Sequence, residues 1–459
     1  MAIRAEIYTD LHSFSLAAGF PSSNADGSVP ESALVLSSNV LYGTTWQGGV
    51  NGNGVVFSIN TDGTQFTNLH SFSPLSSGFI GYNTDGAAPY STLILSSNVL
   101  YGTASQGGEG SGGSIFRMNT DGSDFTNLYS FPNYAGTPKA GVILSSNVLY
   151  GTSSTGGLNY GSVFRINTDG SHFTNLISFY PSATNAAFAP TGGVILSGNK
   201  LYGTTAGSSG QEGGTIFSIG INGRGYTNLF YFQNVGGESQ SSTNTTGGTP
   251  SDSLTLVGDM LFGVTPHGGT NGNGVIFAIN TNGSGFTNLH TFSQIDNTTG
   301  TNAEGYDPQC QLLVIGNALY GTAGSGGPTG YGTIFSINTD GSDFTVVYTF
   351  PDLLGTDYLD LDGAGPVGGV IVSGTTLYGT STHGGGYGGN VYSYDLSPVV
   401  PPPVLTVLSA AFAVVSWDFS KFSLQSSTDL NAGFTALSAS SPYYLIGGGS
   451  QQFFRLKHN

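Results

Sequence analysis

The sequence contains a single cysteine, Cys310, so no disulfide bond can form within the chain. Charged residues are scarce as well, at 8% of 459 residues. Acidic residues (26) far outnumber lysine and arginine (9), which gives a formal net charge of −17. Such a chain repels nucleic acid, anionic lipid and polyanionic glycans. The composition therefore excludes nucleic acid as a partner and favours neutral ligands, cations or basic partners.

Long apolar runs are also missing, and no segment reaches the roughly 20 residues that a membrane-spanning helix needs. The N-terminal stretch MAIRAEIYTD has no apolar core of the kind that signal peptides carry. Either the protein is cytosolic or its signal peptide has been removed. The few lysines and the many Asn, Gly, Ser and Thr residues are typical of exported bacterial proteins. We therefore expect an extracellular, cell-surface or periplasmic location.

Glycine, by contrast, is abundant at 74 residues, and aromatic residues make up 12% of the chain. A chain this rich in Phe and Tyr can bury a core, which argues against disorder. One repeated unit, residues 141–179, reads GVIL, VLYGTS, SVFRINT and FTNLISF, separated by a glycine loop and by the turn signals SSN and DG. This pattern predicts four short antiparallel strands, which we name A, B, C and D.

The B-strand motif occurs seven times, about 50–60 residues apart, and four strands per unit at this period are typical of a propeller blade. Its aromatic residues are Tyr42, Tyr101, Tyr150, Tyr202, Phe262, Tyr320 and Tyr378. The D-strand motif also occurs seven times, but its first copy, Tyr8 to Phe14, precedes any A strand. The last C strand, NVYSYDL, has no D strand after it. We therefore predict an all-β, seven-bladed β-propeller over residues 1–396, closed by its N-terminal strand.

The repeated phenylalanines and glycines are explained by this scaffold alone. The Phe of VF and the Phe that ends HSF are expected to pack between adjacent blades, and the GG and NG pairs supply positive φ in turns. His12, His70 and His290 occupy one repeated D-strand position, where a packing role is expected.

The repeat resembles the Gloeo/Verruco (GloVer) tandem repeat of exported bacterial proteins, on the pattern LYGTT..GG.NG.GVVF.INTDG..FTNLHSF, over roughly residues 8–396. In that family the stretch before strand A often reads DG..P. The acidic residue of this stretch is retained in four copies: Asp26, Asp85, Glu304 and Asp362. The resemblance implies an extracellular or surface setting, and it brings no catalytic motif.

The C-terminal part begins with a proline-rich linker, residues 397–404, that reads SPVVPPPV. Residues 405–459 contain the strand-like runs FAVVSWD, FSLQSSTDL, YYLIGG and QQFFRLK. Their pairing of LQSSTDL with FFRL resembles a small terminal β-sandwich of Verrucomicrobia-type exported proteins. We expect a spacer role for this domain, with anchoring or sugar binding as alternatives.

Because repeated positions hold the scaffold, function is expected where the copies differ in the D–A and B–C loops, which leave a propeller on one face. In the B–C loops this set comprises Trp46, Gln47, Gln106, His267 and His383. Aromatic faces stack on sugar rings and amides bind hydroxyls, so these residues are candidate carbohydrate ligands. The alternative is that they are solvated turn residues.

Directly after the loop proline, at the expected mouth of the central channel, the seven copies carry seven different residues: Glu31, Tyr90, Lys139, Thr191, Ser251, Gln309 and Val367. Asp252 and Asp307 are adjacent. Glu31, Asp252, Asp307 and Lys139 are therefore candidate catalytic residues for acid–base chemistry, and Gln309 is a candidate ligand-binding residue. A glycoside hydrolase would need two carboxyl groups at a defined separation. The alternative is ordinary hydration of the channel entrance.

No cofactor is required by these patterns. The loop DLLGTDYLDLDGAGP gathers Asp357, Asp360 and Asp362, whose oxygen atoms could bind Ca²⁺, although the spacing is not that of an EF-hand.

Three functions remain open at this point. The first is an exported module that binds a neutral glycan or a surface partner. The second is a carbohydrate-active enzyme, a hydrolase rather than a lyase, because a uronate lyase needs basic residues and this face offers chiefly Lys139. The third is a structural envelope or matrix protein.

Overall fold

The computed structural model describes residues 8–17, 22–77, 81–132, 136–156, 160–180, 188–207, 213–234, 243–296, 298–351, 363–384 and 388–397, together with six strands between residues 404 and 458. Tyr8–Asp395 form one compact unit, and the C-terminal strands belong to a second. Within these ranges, no helix has both the length and the apolar character needed to cross a bilayer.

Seven four-stranded antiparallel sheets form the first unit in the described part of the chain. Six of them run through strands A to D in chain order. Blade 1 contains β2 (Val35–Ser37), β3 (Val40–Thr45), β4 (Val55–Asn60) and β5 (Thr67–Ser71). Blades 2 and 3 contain β6 (Ile94–Ser96), β7 (Val99–Ala104), β8 (Ser114–Asn119), β9 (Thr126–Ser130), β10 (Ile143–Ser145), β11 (Val148–Ser153), β12 (Ser162–Asn167) and β13 (Thr174–Ser178). Blades 4 to 6 contain β14 (Ile195–Ser197), β15 (Lys200–Thr205), β16 (Thr215–Gly220), β17 (Thr227–Tyr231), β18 (Thr255–Val257), β19 (Met260–Thr265), β20 (Val275–Asn280), β21 (Thr287–Thr291), β22 (Leu313–Ile315), β23 (Ala318–Ala323), β24 (Thr333–Asn338) and β25 (Thr345–Thr349).

The seventh blade is assembled from both ends of the unit. Its first three strands are β26 (Ile371–Ser373), β27 (Thr376–Ser381) and β28 (Asn390–Asp395), and its outer strand is β1 (Tyr8–Ser13). β1 pairs antiparallel with β28, from Tyr8 opposite Tyr394 to Ser13 opposite Asn390. The predicted seven-bladed propeller and its closure by the N-terminal strand are both confirmed.

Every blade carries a β-bulge between its two outer strands, which the repeat pattern did not reveal. In blade 1 the register shifts between Val56 and Phe57, and Leu69 is the extra residue. Equivalent shifts occur in the other six blades. The hairpin of the next blade packs against this bulge: a Cβ atom at Gly122, where φ is +88°, would lie 3.0 Å from the Leu69 carbonyl oxygen. The NTDG turn therefore needs glycine for close approach as well as for positive φ.

The core lies between adjacent blades. Phe14 at the end of β1 is fully buried and makes an edge-to-face contact with the buried Phe57 of blade 1, with ring centroids 5.3 Å apart. Phe72 contacts Phe116 of blade 2 in the same way, at 5.5 Å. The predicted packing of the repeated phenylalanines between blades is confirmed.

A second set of aromatic contacts joins the outer strands. A D-strand side chain of one blade stacks on the ring that precedes the D strand of the next, with centroids 3.7–3.8 Å apart in the pairs His12–Phe66, His70–Phe125, Tyr129–Phe173, Phe230–Phe286 and His290–Phe344. Tyr348 stacks on Tyr8 of the closing strand at 4.7 Å. The three D-strand histidines are thus packing residues, as predicted.

Each of these histidines also binds the acidic residue of the following DG..P stretch. Nε2 lies 3.2 Å from Asp26 for His12, 3.0 Å from Asp85 for His70, and 3.2 Å from Glu304 for His290. The loops with Pro138, Pro190 and Pro250 lack the acid, and the corresponding D-strand residues are Tyr129, Ile177 and Phe230. In three copies the acid and a histidine therefore form a clip that ties the D–A loop to the outer strand. The fourth acid, Asp362, follows Tyr348 instead of a histidine and lies outside the described residues.

In the second unit, β29 (Val404–Ser409), β30 (Phe412–Ser416) and β33 (Tyr443–Ile446) form one antiparallel sheet. β31 (Phe422–Ser427), β32 (Thr435–Ala436) and β34 (Phe453–His458) form another. β31 pairs with β34, with Leu424 opposite Leu456, as expected from LQSSTDL and FFRL. Packing of the two sheets into a sandwich stays a prediction, and most of the proline-rich linker lies outside the described residues.

Replacing Phe14 with alanine is expected to lower the free energy of unfolding by about 3–5 kcal/mol, because it opens a cavity where the closing strand meets blade 1. The urea unfolding midpoint measures the change. Leu16→Ala, two residues further along where the side chain is 61% exposed, is the control and should change stability little. Equal effects of the two substitutions would contradict the role assigned to the closing strand.

The acid–histidine clips predict a loss of stability at low pH. Burial raises the pKa of Asp85, but hydrogen bonds from His70 and Ser73 outweigh it and hold the pKa below its ordinary value. The stabilisation is therefore present above the unfolded pKa of about 3.9 and is lost as the pH falls through the folded pKa. Asp85→Asn is expected to cost about 1–2 kcal/mol at pH 7 and to cost less near pH 2.5. Asp259→Asn, on an exposed turn, serves as the control, and a pH-independent cost of Asp85→Asn would contradict the clip.

Candidate functional site

The seven residues that follow the loop prolines converge on one cavity at the channel mouth. All seven predicted positions line it, and its volume is about 290 Å³. Each position comes just before an inner A strand, so the ring symmetry brings seven unlike side chains together at the same level. The lining side chains are Glu31, Tyr90, Lys139, Thr191, Ser251, Gln309 and Val367, with Asp252 beside them.

A ring of threonine hydroxyls holds this mouth in place. The threonine of the B-strand YGT motif donates a hydrogen bond to a carbonyl oxygen of the next blade, two residues after that blade's loop proline. Six junctions have this bond, at 2.9–3.3 Å: Thr44 to Ser91, Thr103 to Ala140, Thr152 to Gly192, Thr204 to Asp252, Thr322 to Gly368 and Thr380 to Ser32. The backbone of the cavity wall is therefore tied from blade to blade.

The junction between blades 5 and 6 is built differently. Blade 5 reads LFGVT, so Val264 stands where the other blades have the donating threonine. Here the Asp252 carboxylate accepts hydrogen bonds from the backbone N–H groups of Ser253 (2.6 Å) and Gln311 (2.8 Å). The Gln311 side chain in turn donates to the Leu254 carbonyl oxygen at 2.9 Å. Asp252, a predicted catalytic residue, thus replaces the threonine as the link between these blades.

Glu31 and Tyr90 lie side by side in blades 1 and 2. Burial raises the pKa of Glu31, and the Tyr90 hydroxyl offsets part of the shift. The pKa of Tyr90 is raised by burial and by the charges of Glu31, Asp252 and Asp307. One carboxyl oxygen, Glu31 Oε2, is buried and has no hydrogen-bond partner, and the same holds for Ser251 Oγ. Two residues of the lining therefore each carry a buried polar atom with unsatisfied hydrogen-bonding capacity.

The remaining predicted mouth residues differ in their surroundings. Lys139 lines the cavity and is exposed. Gln309 lines it too, and its Nε2 donates to Asp307 Oδ2 at 2.9 Å. Asp307 lies behind Gln309 and is not among the lining residues, and burial raises its pKa. Glu304, a further carboxyl group on a D–A loop, is bound to His290 and is not among the lining residues.

The five predicted B–C loop residues lie outside the cavity lining. Their backbones pair with the D–A loops, as in Ser28 with Gln47 and Ala364 with His383. His267 Nδ1 lies 2.9 Å from Thr249 Oγ1, and His383 Nδ1 lies 2.7 Å from Thr382 Oγ1. Trp46, Gln47 and His267 are half-buried, whereas Gln106 and His383 are exposed.

The predicted calcium ligands Asp357, Asp360 and Asp362 lie outside the described residues. Among the residues that the structure does describe, no group of three or more His, Cys, Asp or Glu side chains is arranged to hold a metal ion.

Sequence reasoning missed an asparagine that shapes the loops at the mouth. Asn83 Oδ1 accepts hydrogen bonds from the N–H groups of Gly86 (2.9 Å) and Gly108 (2.8 Å), which joins the D–A loop to the B–C loop. Asn24, Asn244 and Asn302 make the equivalent bonds. The signal was visible as an asparagine three residues before the loop glycine in four copies.

With this geometry in hand, comparison with known proteins identifies the repeat. The model of the Gloeobacter/Verrucomicrobia repeat matches residues 6–179, 132–298 and 239–413. The chain therefore belongs to the Gloeobacter/Verrucomicrobia repeat family, as the resemblance predicted. No curated protein sequence matches it.

Similar solved structures share the fold. A puromycin hydrolase complexed with PGG is 10% identical, with a TM-score of 0.51 over 88% of this chain and 62% of its own. A puromycin-hydrolysing peptidase of Mycobacterium tuberculosis is 12% identical, with a TM-score of 0.50 over 88% of this chain and 61% of its own. An oligogalacturonate lyase of Vibrio parahaemolyticus is 9% identical, with a TM-score of 0.49 over 85% and 94%. This chain thus spans about three fifths of the two puromycin-hydrolysing enzymes.

The surroundings of Asp252 predict a specific pH dependence. Burial raises its pKa to about 6, against the hydrogen bonds from Ser253 and Gln311 that lower it. Because the folded pKa lies above the unfolded value of about 3.9, the folded state holds this proton more tightly, and that stabilisation is lost as the pH rises through 6. Relative to the unchanged chain, Asp252→Asn is therefore expected to gain about 1–2 kcal/mol between about pH 4.5 and 7.5.

Urea unfolding at both pH values measures this gain, and Asp259→Asn is again the control. A stability difference between the Asp252→Asn variant and the unchanged chain that stays constant across this pH range would show that Asp252 titrates alike in the folded and unfolded states.

Proposed function

We propose that this propeller binds a saccharide-type ligand in the channel-mouth cavity and acts as a binding module rather than as an enzyme. The observation that carries the proposal is the pair of buried, unpartnered atoms in the cavity wall, Glu31 Oε2 and Ser251 Oγ. A buried polar atom without a partner costs about 1–3 kcal/mol. A ligand hydroxyl group that reached either atom would remove this cost.

The size and lining of the cavity support a small polyhydroxylated ligand. Its volume of about 290 Å³ is near the lower end of small-molecule sites, about 300 Å³. Tyr90 is 38% exposed and offers an aromatic face, while Thr191, Ser251 and Gln309 offer hydroxyl and amide groups. An aromatic face beside hydroxyl and amide groups is the combination that sugar rings require.

Binding is better supported than hydrolysis by the electrostatics of the carboxyl groups. A glycoside hydrolase pairs a protonated acid with a carboxylate that stays ionised, which requires environments that push the two pKa values apart. Here the pKa values of Glu31 and Asp252 are both raised. One oxygen of Asp252 also accepts a hydrogen bond from the Gln311 N–H that joins two blades, and the other accepts from the neighbouring Ser253 N–H. Glycoside hydrolysis therefore remains the less supported alternative.

The predicted B–C loop residues keep a place in this proposal as outer contacts for a longer glycan. Trp46 and His267, for example, lie in B–C loops that pair with the D–A loops leading into the cavity. An exported location, in which such glycans are met, is part of the same proposal and is supported by the composition and by the setting that the resemblance implies.

Isothermal titration calorimetry with a panel of monosaccharides and disaccharides tests the proposal. Tyr90→Ala removes a stacking face and Ser251→Ala removes a hydrogen-bonding group. Each is expected to weaken binding about tenfold, which corresponds to roughly 1.4 kcal/mol. Glu109→Gln, on an exposed loop outside the cavity, is the control and should leave binding unchanged. No heat from any saccharide would overturn the proposal, and release of shorter sugars that stops in Glu31→Gln would favour hydrolysis instead.

A further inference from the structure

The charges around the cavity are unbalanced. Glu31 and Asp252 line it, and Asp307 lies close enough for its charge, with theirs, to raise the pKa of Tyr90. Lys139 is the only basic residue among the described lining residues. No salt bridge of Lys139 with an acidic side chain occurs in the described part of the chain, where the ion pairs are those of His12, His70 and His290. The carboxyl groups of the mouth thus have no counter-ion in contact.

The ring order separates the lysine from the unpartnered carboxyl oxygen. Glu31 belongs to blade 1, Tyr90 to blade 2 and Lys139 to blade 3, so the tyrosine stands between the two charged groups in the ring. Glu31 Oε2 is buried and lacks a hydrogen-bond donor. A neutral hydroxyl could donate to it, but would leave the negative charge of the site uncompensated.

A protonated amine satisfies both requirements at once. An ammonium group donates charge-assisted hydrogen bonds to a carboxylate, which are stronger than those of a hydroxyl. It is also attracted to the face of an aromatic ring. Glu31 and Tyr90 supply these two features side by side, in a chain whose net charge of −17 attracts cations.

We infer that the saccharide bound in the channel-mouth cavity is an amino sugar, whose protonated amine sits against Glu31 and Tyr90 while its hydroxyl groups face Ser251, Thr191 and Gln309. The inference rests on the proposed function, since it specifies the ligand of the same cavity. Lys139, two blades from Glu31, is assigned no contact with the ligand in this arrangement.

Three sugars of the same ring type test the inference by calorimetry at about pH 7: glucosamine, N-acetylglucosamine and glucose. A primary amine with a pKa of about 7.7 is mostly protonated at this pH, and acetylation removes the charge while keeping the substituent. Glucosamine is expected to bind about tenfold more tightly than either neutral sugar. In Glu31→Gln this preference should disappear, whereas Tyr90→Phe, which keeps the aromatic face, should retain most of it.

Lys139→Gln provides a test that does not depend on Glu31. Removing the cation should tighten glucosamine binding about two- to fivefold and leave glucose binding unchanged, because only the charged ligand is repelled. Glu109→Gln, outside the cavity, is the control for Glu31→Gln and Lys139→Gln and should leave the binding of all three sugars unchanged. Thermal unfolding checks that each variant is folded.

The outcomes separate the two proposals. Glucose and glucosamine binding with equal affinity, and equally in Glu31→Gln, would overturn the amino-sugar inference and leave the saccharide-binding proposal standing. No binding of glucosamine would overturn the amino-sugar inference, and no heat from any saccharide of the panel would overturn both.

Discussion

The pairing of β1 with β28 is the constraint on which the rest of the structure depends. A row of identical four-stranded units has two exposed sheet edges, and only a closed ring removes them. The N-terminal strand completes blade 7, which is the neighbour of blade 1. Closure therefore also fixes the number of units around the axis at seven. Seven equivalent backbone positions then face one another across the channel, and the cavity at its mouth is a direct result.

Within this ring, repeated and non-repeated positions carry different tasks. Buried phenylalanines, the stacked outer rings and the threonine hydroxyls recur at each junction, so the scaffold is stabilised many times over by the same few contacts. The residue directly after each loop proline takes no part in these contacts, since the threonine hydroxyls bond to the carbonyl oxygen of the residue that follows it. It can therefore vary without loss of the fold, and seven unlike side chains can form a wall of mixed chemistry.

The sequence predicted the strands, the blade count, the closure and the seven positions at the mouth because all of them follow from the repeat period and from where the copies disagree. It did not predict the bulge at Leu69. It also did not predict that Asp252 replaces the threonine hydroxyl as the link between blades 5 and 6. Both depend on contacts between blades, which local periodicity does not contain. The link between His70 and Asp85 was within reach, since three of the four retained acids follow a D-strand histidine. The sequence did not predict that the B–C loop residues lie outside the cavity lining, because their position depends on how far each loop reaches inward.

The exception at the junction of blades 5 and 6 bears on what the cavity can do. A carboxylate that accepts one backbone hydrogen bond from its own blade and one from the next blade is held in place, and moving it to react with a substrate would break the junction. Glu31 makes no such link between blades; it lies beside Tyr90, and its Oε2 atom has no hydrogen-bond partner. One acid that links two blades and one acid with an unpartnered oxygen, both with raised pKa values, lie in a site whose one described basic residue, Lys139, forms no ion pair with them. A site of this kind gains most from a ligand that brings the missing charge with it, which is recognition rather than bond cleavage.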